Sequence, residues 1–329
     1  MSGNSYSLRI DSLSVLRPSW TSGSTNSISD LDREYVRYEG SQHEKQTYHH
    51  LARSSKRSAI LQREVLAEKY LGERVSLSEY PTFATIDNQK GVLKTNIQKS
   101  PEFKSALKEA QNYIKTRNDL KLPSKGSLDF IASSKKDFHR NSSIVKLALS
   151  PILLVPIIRY LGMLPILFSI DISRANKREI LDYSSHLYHV DPEDITQMKV
   201  FIYINDVDEN TGPFTALPAN VSADVIQHFN YRRGRLTDEA VYEFTGNGKE
   251  LSCTGQKGTA TFCDTTRCLH FGGRTIDKTR YMLTLMYALP TSTWFPLHSD
   301  DGEARILTSR ITPKDDEIDM ALFGKSLTI

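Results

Sequence analysis

The sequence predicts a mostly β core supported by N-terminal helices, and three observations predict it. Apolar residues recur at helical spacing in the first half of the chain. Short period-two runs dominate from about residue 185 to 290. Between them lies an apolar stretch broken by proline and charge, which reads as buried support rather than a membrane span.

The chain has 329 residues, enough for one large domain with a sizeable core. Charged residues make up 25% and nearly balance, with 42 Lys+Arg against 39 Asp+Glu and a net charge of +3. That balance excludes a nucleic-acid binder, which needs clustered, aromatic-interleaved basic residues. Cys253, Cys263 and Cys268 are the three cysteines, too few and too odd in number for a disulfide framework, and they suit a reducing cytoplasm. Cys263 and Cys268 beside His270 have a zinc reading. Small buried hydrophobes at a strand explain them without a second cysteine pair. Met1 to Thr25 has no continuous apolar run, so no signal peptide is expected and the expected location is cytoplasmic.

In chain order, residues 1–45 are rich in Ser, Gly, Asn and Asp and read as a flexible polar arm. Glu44 to Tyr70 is helical in pattern, with Ala59, Ile60, Leu61, Val65, Leu66 and Tyr70 at three- and four-residue spacings. Its basic run Arg53, Lys56, Arg57 and Arg63 reads as a solvated face or an anion patch, and His43, His49 and His50 as surface residues. Ser100-Pro-Glu102 starts a helix over about 101–117, because serine caps free amides and proline suits the first position. Asn118 to Ser143 reads as a basic loop. Residues 144–170 are the most apolar, but Lys146, Pro151, Pro156, Arg159 and Pro165 interrupt them. Buried helices ending at Leu161-Gly162 are expected there, and no membrane span.

Met198, Val200, Ile202 and Ile204 alternate with Lys199, Phe201, Tyr203 and Asn205, a strand with one aliphatic face. Asp206 to Pro213 is a turn cluster, and 258–263 and 280–288 are further strands. Leu236 to Val241 reads as a helical insertion capped by Thr237, with Leu236 and Val241 as its staple. The tail after Pro290 is polar and ends in a short apolar anchor, Met320 to Phe323.

The chemistry concentrates between His189 and Arg280. His189 and Asp191 are two positions apart, so on a strand end their side chains point the same way. His270 would arrive from a distant strand. Two imidazoles and a carboxylate are the facial set that iron(II) takes, with open positions for other ligands. Arg280 is a permanently charged planar fork, suited to the far carboxylate of an acidic co-substrate.

Two runs carry a resemblance. Ser184 to Pro218 includes Tyr188-His-Val-Asp191 and Lys199-Val-Phe-Ile-Tyr-Ile-Asn-Asp-Val-Asp-Glu-Asn-Thr-Gly-Pro213. Gly258 to Pro290 includes Asp264-Thr-Thr-Arg-Cys-Leu-His270-Phe-Gly-Gly and Arg280. Together they resemble the phytanoyl-CoA dioxygenase family of Fe(II)/2-oxoglutarate-dependent oxygenases, over about residues 145–290. The resemblance implies a double-stranded β-helix, the jelly-roll or cupin-like barrel. Roughly the first hundred residues are not matched; with the patterns read above, the expectation is one oxygenase domain over 46–329, with helical support over about 46–180, the barrel core over about 181–290 and a tail over 291–329. The resemblance implies that His189, Asp191 and His270 hold iron, that Arg280 binds 2-oxoglutarate, and that O2 is consumed as 2-oxoglutarate is decarboxylated to succinate. Lys199 shares a strand face with Phe201 and Tyr203 and is either a second co-substrate contact or an exposed strand lysine. The retained Asp191 implies hydroxylation rather than halogenation of a small-molecule substrate. Pro218-Ala-Asn-Val221 departs from the family's Pro-Gly-Ser-His and bears on a rim contact. Two other readings stay open, a non-catalytic binding barrel and a metal-dependent hydrolase using the same ligands. For the substrate, the apolar 147–170 runs point to a hydrophobic molecule, whereas Arg232, Arg233 and Arg235 point to an anionic one.

Overall fold

The computed structural model describes residues 33, 35–37, 39–76, 83–117, 122–125, 128–176, 185–275, 277–295 and 306–325; most of the expected N-terminal arm, residues 1–32, lies outside them. Helix α1 (Gln42–Ser55) begins with a capping box, in which Ser41 Oγ accepts from the Glu44 amide and the Glu44 carboxylate accepts from the Ser41 amide. Helix α2 (Arg57–Ser76) follows. The continuous helix expected over 44–70 is therefore two helices. They break at Lys56, whose φ of −107° and ψ of 28° leave the helical region, while its ammonium donates to Pro290 O at 2.9 Å. No proline or glycine marks that break. Nor is the basic run one solvated face. Arg53 pairs with Glu64 at the surface, but Arg63 is buried and donates to Leu164 O, Pro165 O and Ala321 O.

Helix α3 (Pro101–Arg117) matches its predicted bounds, with Ser100 Oγ accepting from the Phe103 amide at 3.1 Å. Its inward residues are Phe103, Ala106 and Ala110. Helices α4 (Ser143–Ala148) and α5 (Pro151–Leu161) occupy the apolar stretch, and Gly162 closes α5 with a φ of 75° that favours glycine. Among the described residues no helix is long and apolar enough to cross a membrane.

Strands β1 (Val92–Asn96), β2 (Ser124–Lys125), β3 (Leu128–Ser133) and β4 (Ile166–Ala175) all fall in the part read as helical or looped. β4 corrects the helical reading of residues beyond 165. Ile166-Leu-Phe-Ser-Ile-Asp-Ile-Ser alternates in its second half, but its apolar first half merges with α5 in any periodicity test. β3 was hidden among polar neighbours, and its main partner, β4, comes later in the chain.

The remaining strands are β5 (Met198–Tyr203), β6 (Thr215–Ala216), β7 (Leu251–Ser252), β8 (Thr259–Cys263), β9 (His270–Phe271) and β10 (Arg280–Ala288). The major sheet runs β1-β8-β5-β10-β4-β3-β2 and the minor sheet β7-β6-β9, with every described pairing antiparallel. The fold is thus mostly antiparallel β sheet with helices. On the outer face of the major sheet Val200, Ile202, Phe262, Leu283 and Leu285 pack with Phe103, Leu147, Leu154 and Ile158 of the helices. On the inner face Phe201, Tyr203, Cys263 and Met282 meet Phe214, Ala216, Cys253 and Cys268. The aliphatic face predicted for β5 is the helix-packed one. Each such aliphatic side chain contributes about 1.5–3 kcal/mol on burial.

Helix α6 (Ala219–His228) begins at the atypical Pro218-Ala-Asn-Val run. Helix α7 (Asp238–Thr245) is the predicted insertion, capped by Thr237, with Leu236 and Val241 in one apolar cluster. Helix α8 (Glu317–Leu322) makes the tail's anchor, burying Ala321, Leu322 and Phe323 in the main core.

Candidate metal centre

The two sheets bring distant parts of the chain together at one point. His189 and His270 exchange backbone hydrogen bonds, His189 N to His270 O at 3.1 Å and His270 N to His189 O at 2.9 Å. That pairing sets both imidazoles on one side, their centroids 4.3 Å apart. Asp191 is fixed by its own amide, which donates to Thr265 O at 2.8 Å. One ligand atom from each of His189, Asp191 and His270 lies within 4.8 Å of the other two.

Each histidine is also oriented from behind. His189 Nδ1 is 2.9 Å from Leu187 O, and His270 Nδ1 is 2.9 Å from Cys268 O. A carbonyl only accepts, so both rings carry their proton on Nδ1 and keep the Nε2 lone pair free. Burial, then the neighbouring His270, holds His189 below the usual imidazole range; burial likewise lowers His270, against the pull of Asp191. Neutral imidazole is the form a metal needs.

For Asp191, burial opposes ionisation, but the Lys199 ammonium, by its charge and its hydrogen bond, outweighs it and holds the carboxyl below its ordinary range. Lys199 Nζ donates to Asp191 Oδ2 at 2.6 Å, and Gln197 Nε2 donates to the same oxygen at 3.2 Å and to Thr265 Oγ1 at 3.0 Å. Lys199 is therefore not an exposed strand lysine. Its burial acts to lower its pKa, and Asp191 and Glu193 more than reverse this. With Oδ2 engaged, Oδ1 is the carboxylate's free ligand atom.

Arg280, the first residue of β10, is buried on the inner face. Its Nη1 donates to Gly212 O, and its Nε has no partner among the described residues. No described carboxylate pairs with it, and burial lowers its pKa. Gly212 has a φ of 70°, and a Cβ there would sit 2.7 Å from Thr275 N, so the carbonyl that meets Arg280 requires glycine. Gly272 lies against the guanidinium, where a Cβ would stand 3.5 Å from Nη1. Phe214 joins the two parts of the site, its ring 5.5 Å from His270 and stacked at 4.2 Å on Phe201. A buried guanidinium with no counter-charge among the described residues, linked through Phe214 and Gly272 to His270, can take an anion.

The structure adds residues that sequence reasoning missed. Gln197 is fully buried behind Asp191, and no motif flags it. Asp264 accepts from Thr196 Oγ1 at 2.7 Å, Thr266 Oγ1 at 2.7 Å and Tyr160 OH at 2.9 Å, tying the segment before β5 to the turn after β8. Asp171, on β4, is pushed up to about 6 by burial, with Lys199 opposing. His49, expected at the surface, has its Nδ1 3.5 Å from Asp194 Oδ1. The acidic partner was invisible because it comes from a distant loop. The three cysteines are free and buried.

No protein-family model and no curated protein matches the chain. Among solved structures it is similar to the non-heme alpha-ketoglutarate-dependent epimerase SnoN from nogalamycin biosynthesis, at 15% identity over 64% of this chain and 82% of that one, with a TM-score of 0.43. It is also similar to EctD from S. alaskensis with 2-oxoglutarate and 5-hydroxyectoine, at 15% identity over 66% and 81%, with a TM-score of 0.45. The carbocyclase SnoK from nogalamycin biosynthesis aligns at 16% identity over 61% and 80%, with a TM-score of 0.45.

Proposed function

We propose that the protein is an Fe(II)/2-oxoglutarate-dependent oxygenase, of the kind its phytanoyl-CoA dioxygenase-like motifs imply, that hydroxylates a small molecule in the cytoplasm. One observation carries the reading. His189, Asp191 and His270 converge within 4.8 Å with both Nε2 atoms free, and the buried Arg280, with no counter-charge among the described residues, lies against Gly272, two residues after His270.

The residues fit iron(II), since two imidazole nitrogens and one carboxylate oxygen are ligands it accepts while leaving positions for co-substrate and O2. When bound, that iron supplies the O2 activation that couples conversion of 2-oxoglutarate to succinate with substrate oxidation. The chain does the rest. Leu187 O and Cys268 O fix the tautomers and aim both Nε2 atoms. Gln197 and Lys199 hold Oδ2 of Asp191, leaving Oδ1 to bind, and a lysine ammonium has further N–H groups to turn toward the co-substrate. Arg280 receives the far carboxylate of 2-oxoglutarate through its guanidinium edge. Phe214, stacked on Phe201 and 5.5 Å from His270, sets an apolar ring beside the candidate ligand. Asp191 occupies the place a halide would need, which supports hydroxylation.

The test is succinate formation from 2-oxoglutarate. It should require added Fe(II) and O2 and fall to background in His270→Ala. Metal-dependent hydrolysis without 2-oxoglutarate would instead support the hydrolase reading.

A further inference from the structure

Asp264 is a buried acid with no part in holding iron or co-substrate. It opens the turn between β8 and β9 and is fully buried. No ion pair reaches it among the described residues. Arg267 Nη1 instead donates at 2.7 Å to Tyr160 OH, and that hydroxyl, in the last turn of α5, donates to Asp264 Oδ2 at 2.9 Å. The carboxylate holds backbone as well. Oδ1 accepts from the amides of Gln197 and Thr266, each at 3.3 Å, and from Thr266 Oγ1 at 2.7 Å, while Oδ2 also accepts from Thr196 Oγ1 at 2.7 Å. A side chain without an acceptor at this position would leave two buried amides unpaired.

These bonds run to two of the three candidate ligands. Gln197 is held at its amide by Asp264, and its side chain donates to Asp191 Oδ2 at 3.2 Å. Thr265, next in the chain to Asp264, accepts that side chain on Oγ1 at 3.0 Å and the Asp191 amide on its carbonyl at 2.8 Å. The second path leads to His270. Asp264 O accepts from the amides of Arg267 and Cys268 at 3.1 and 2.9 Å, which closes the turn, and Cys268 O lies 2.9 Å from His270 Nδ1. His189 is oriented separately, by Leu187 O.

We propose that Asp264 is a positioning residue of the metal centre. By holding the Gln197 amide and the 264–268 turn, it sets the Asp191 carboxylate and the His270 ring relative to each other, and Tyr160 anchors it to α5. This rests on the metal-centre reading for what the two side chains bind, but not for how they are oriented.

Two readouts on the full chain test it. The first needs no metal. Nitrogen NMR of isotopically labelled histidine, assigned from His189→Ala and His270→Ala, should show both rings protonated on Nδ1 in wild type. Asp264→Leu should mix the tautomers of His270 and leave His189 as it is. The second is titration with Co(II), whose visible bands report coordination geometry. Asp264→Leu should weaken Co(II) binding about ten-fold or more and change those bands. Asp264→Asn can still accept from the Gln197 and Thr266 amides and turn its NH2 to the two hydroxyls, so its Co(II) affinity should stay within about three-fold of wild type. Leu322→Ala, a truncation in the tail anchor, is the control for general destabilisation and should change neither readout. If Asp264→Leu does not fold, Tyr160→Phe decides, with an expected loss of about three-fold in Co(II) affinity.

Wild-type tautomers and affinity in Asp264→Leu overturn the proposal, as does wild-type affinity in Tyr160→Phe where leucine does not fold. An equal loss in Leu322→Ala, or a loss in Asp264→Asn as large as that in Asp264→Leu, overturns it too. If wild type binds no Co(II) while the His270 tautomer still follows Asp264, the metal-centre reading falls and the positioning role stands.

Discussion

Replacing Arg280 with methionine separates a ligand-binding guanidinium from a structural one. In the protein without ligand, Arg280 makes one backbone bond, from Nη1 to Gly212 O, while its Nε is buried without a partner. That bond contributes about 1 kcal/mol, and removal of an uncompensated buried charge offsets it, so Arg280→Met should unfold within a few degrees of wild type. The co-substrate changes the balance. Hydrogen bonds between a guanidinium and a carboxylate contribute about 1.5–3 kcal/mol each, so losing a paired contact should raise the KM for 2-oxoglutarate by about a hundred-fold or more. The same loss shows in thermal denaturation. At a hundred-fold excess over Kd, 2-oxoglutarate stabilises the metal-loaded wild type by about 2.7 kcal/mol, roughly 4 °C in Tm, and this shift should fall below about 1 °C in Arg280→Met. An unchanged KM together with a large loss of Tm in the ligand-free variant would mean that Arg280 is structural, and would refute the reasoning.

Three further perturbations have definite outcomes. Gln197→Leu removes a neutral donor from Asp191 Oδ2 without altering charge, so the Kd for Fe(II) should rise about ten-fold while the 2-oxoglutarate KM at saturating metal stays within two-fold; anaerobic metal titration reads it. Tyr160→Phe takes one donor from the buried Asp264 carboxylate and should cost about 1–3 kcal/mol in urea unfolding. Asp171 has its folded pKa raised from 3.8 to about 6 by burial, so the folded state holds the proton more tightly than the unfolded chain. Its contribution is fully present below pH 3.8 and is lost as pH rises through 6. Asp171→Asn should therefore gain stability relative to wild type between pH 4 and 7, by up to about 3 kcal/mol, and a difference independent of pH would contradict that assignment.

Much of the fold was legible where one local signal was enough. Ser100-Pro101 marked α3, Thr237 marked α7, Leu161-Gly162 marked the end of α5, and the alternation at 198–204 marked both β5 and its helix-packed face. What escaped was non-local. β3 finds its main partner only in β4, and β4 follows α5 so closely that one apolar run covers parts of both. The Lys56 break has no sequence marker, because it is held by Pro290 from the far end of the chain. The same division holds in the site. His189, Asp191, His270 and Arg280 could be singled out in the sequence as candidates, since a metal and an anion restrict which side chains can serve, and the fold brings the first three together. Gln197 and Asp264 could not, because a glutamine behind a carboxylate or an aspartate in a turn has no meaning until the fold supplies its neighbours.

The most direct measurement is a sequential anaerobic titration, Fe(II) first and 2-oxoglutarate second. Wild type should bind one Fe(II) per chain and then one 2-oxoglutarate, with little 2-oxoglutarate binding before the metal is present. His189→Ala, Asp191→Ala and His270→Ala should each lose the metal step. One-to-one metal binding that persists in all three variants, or no 2-oxoglutarate binding after metal loading, would contradict the account.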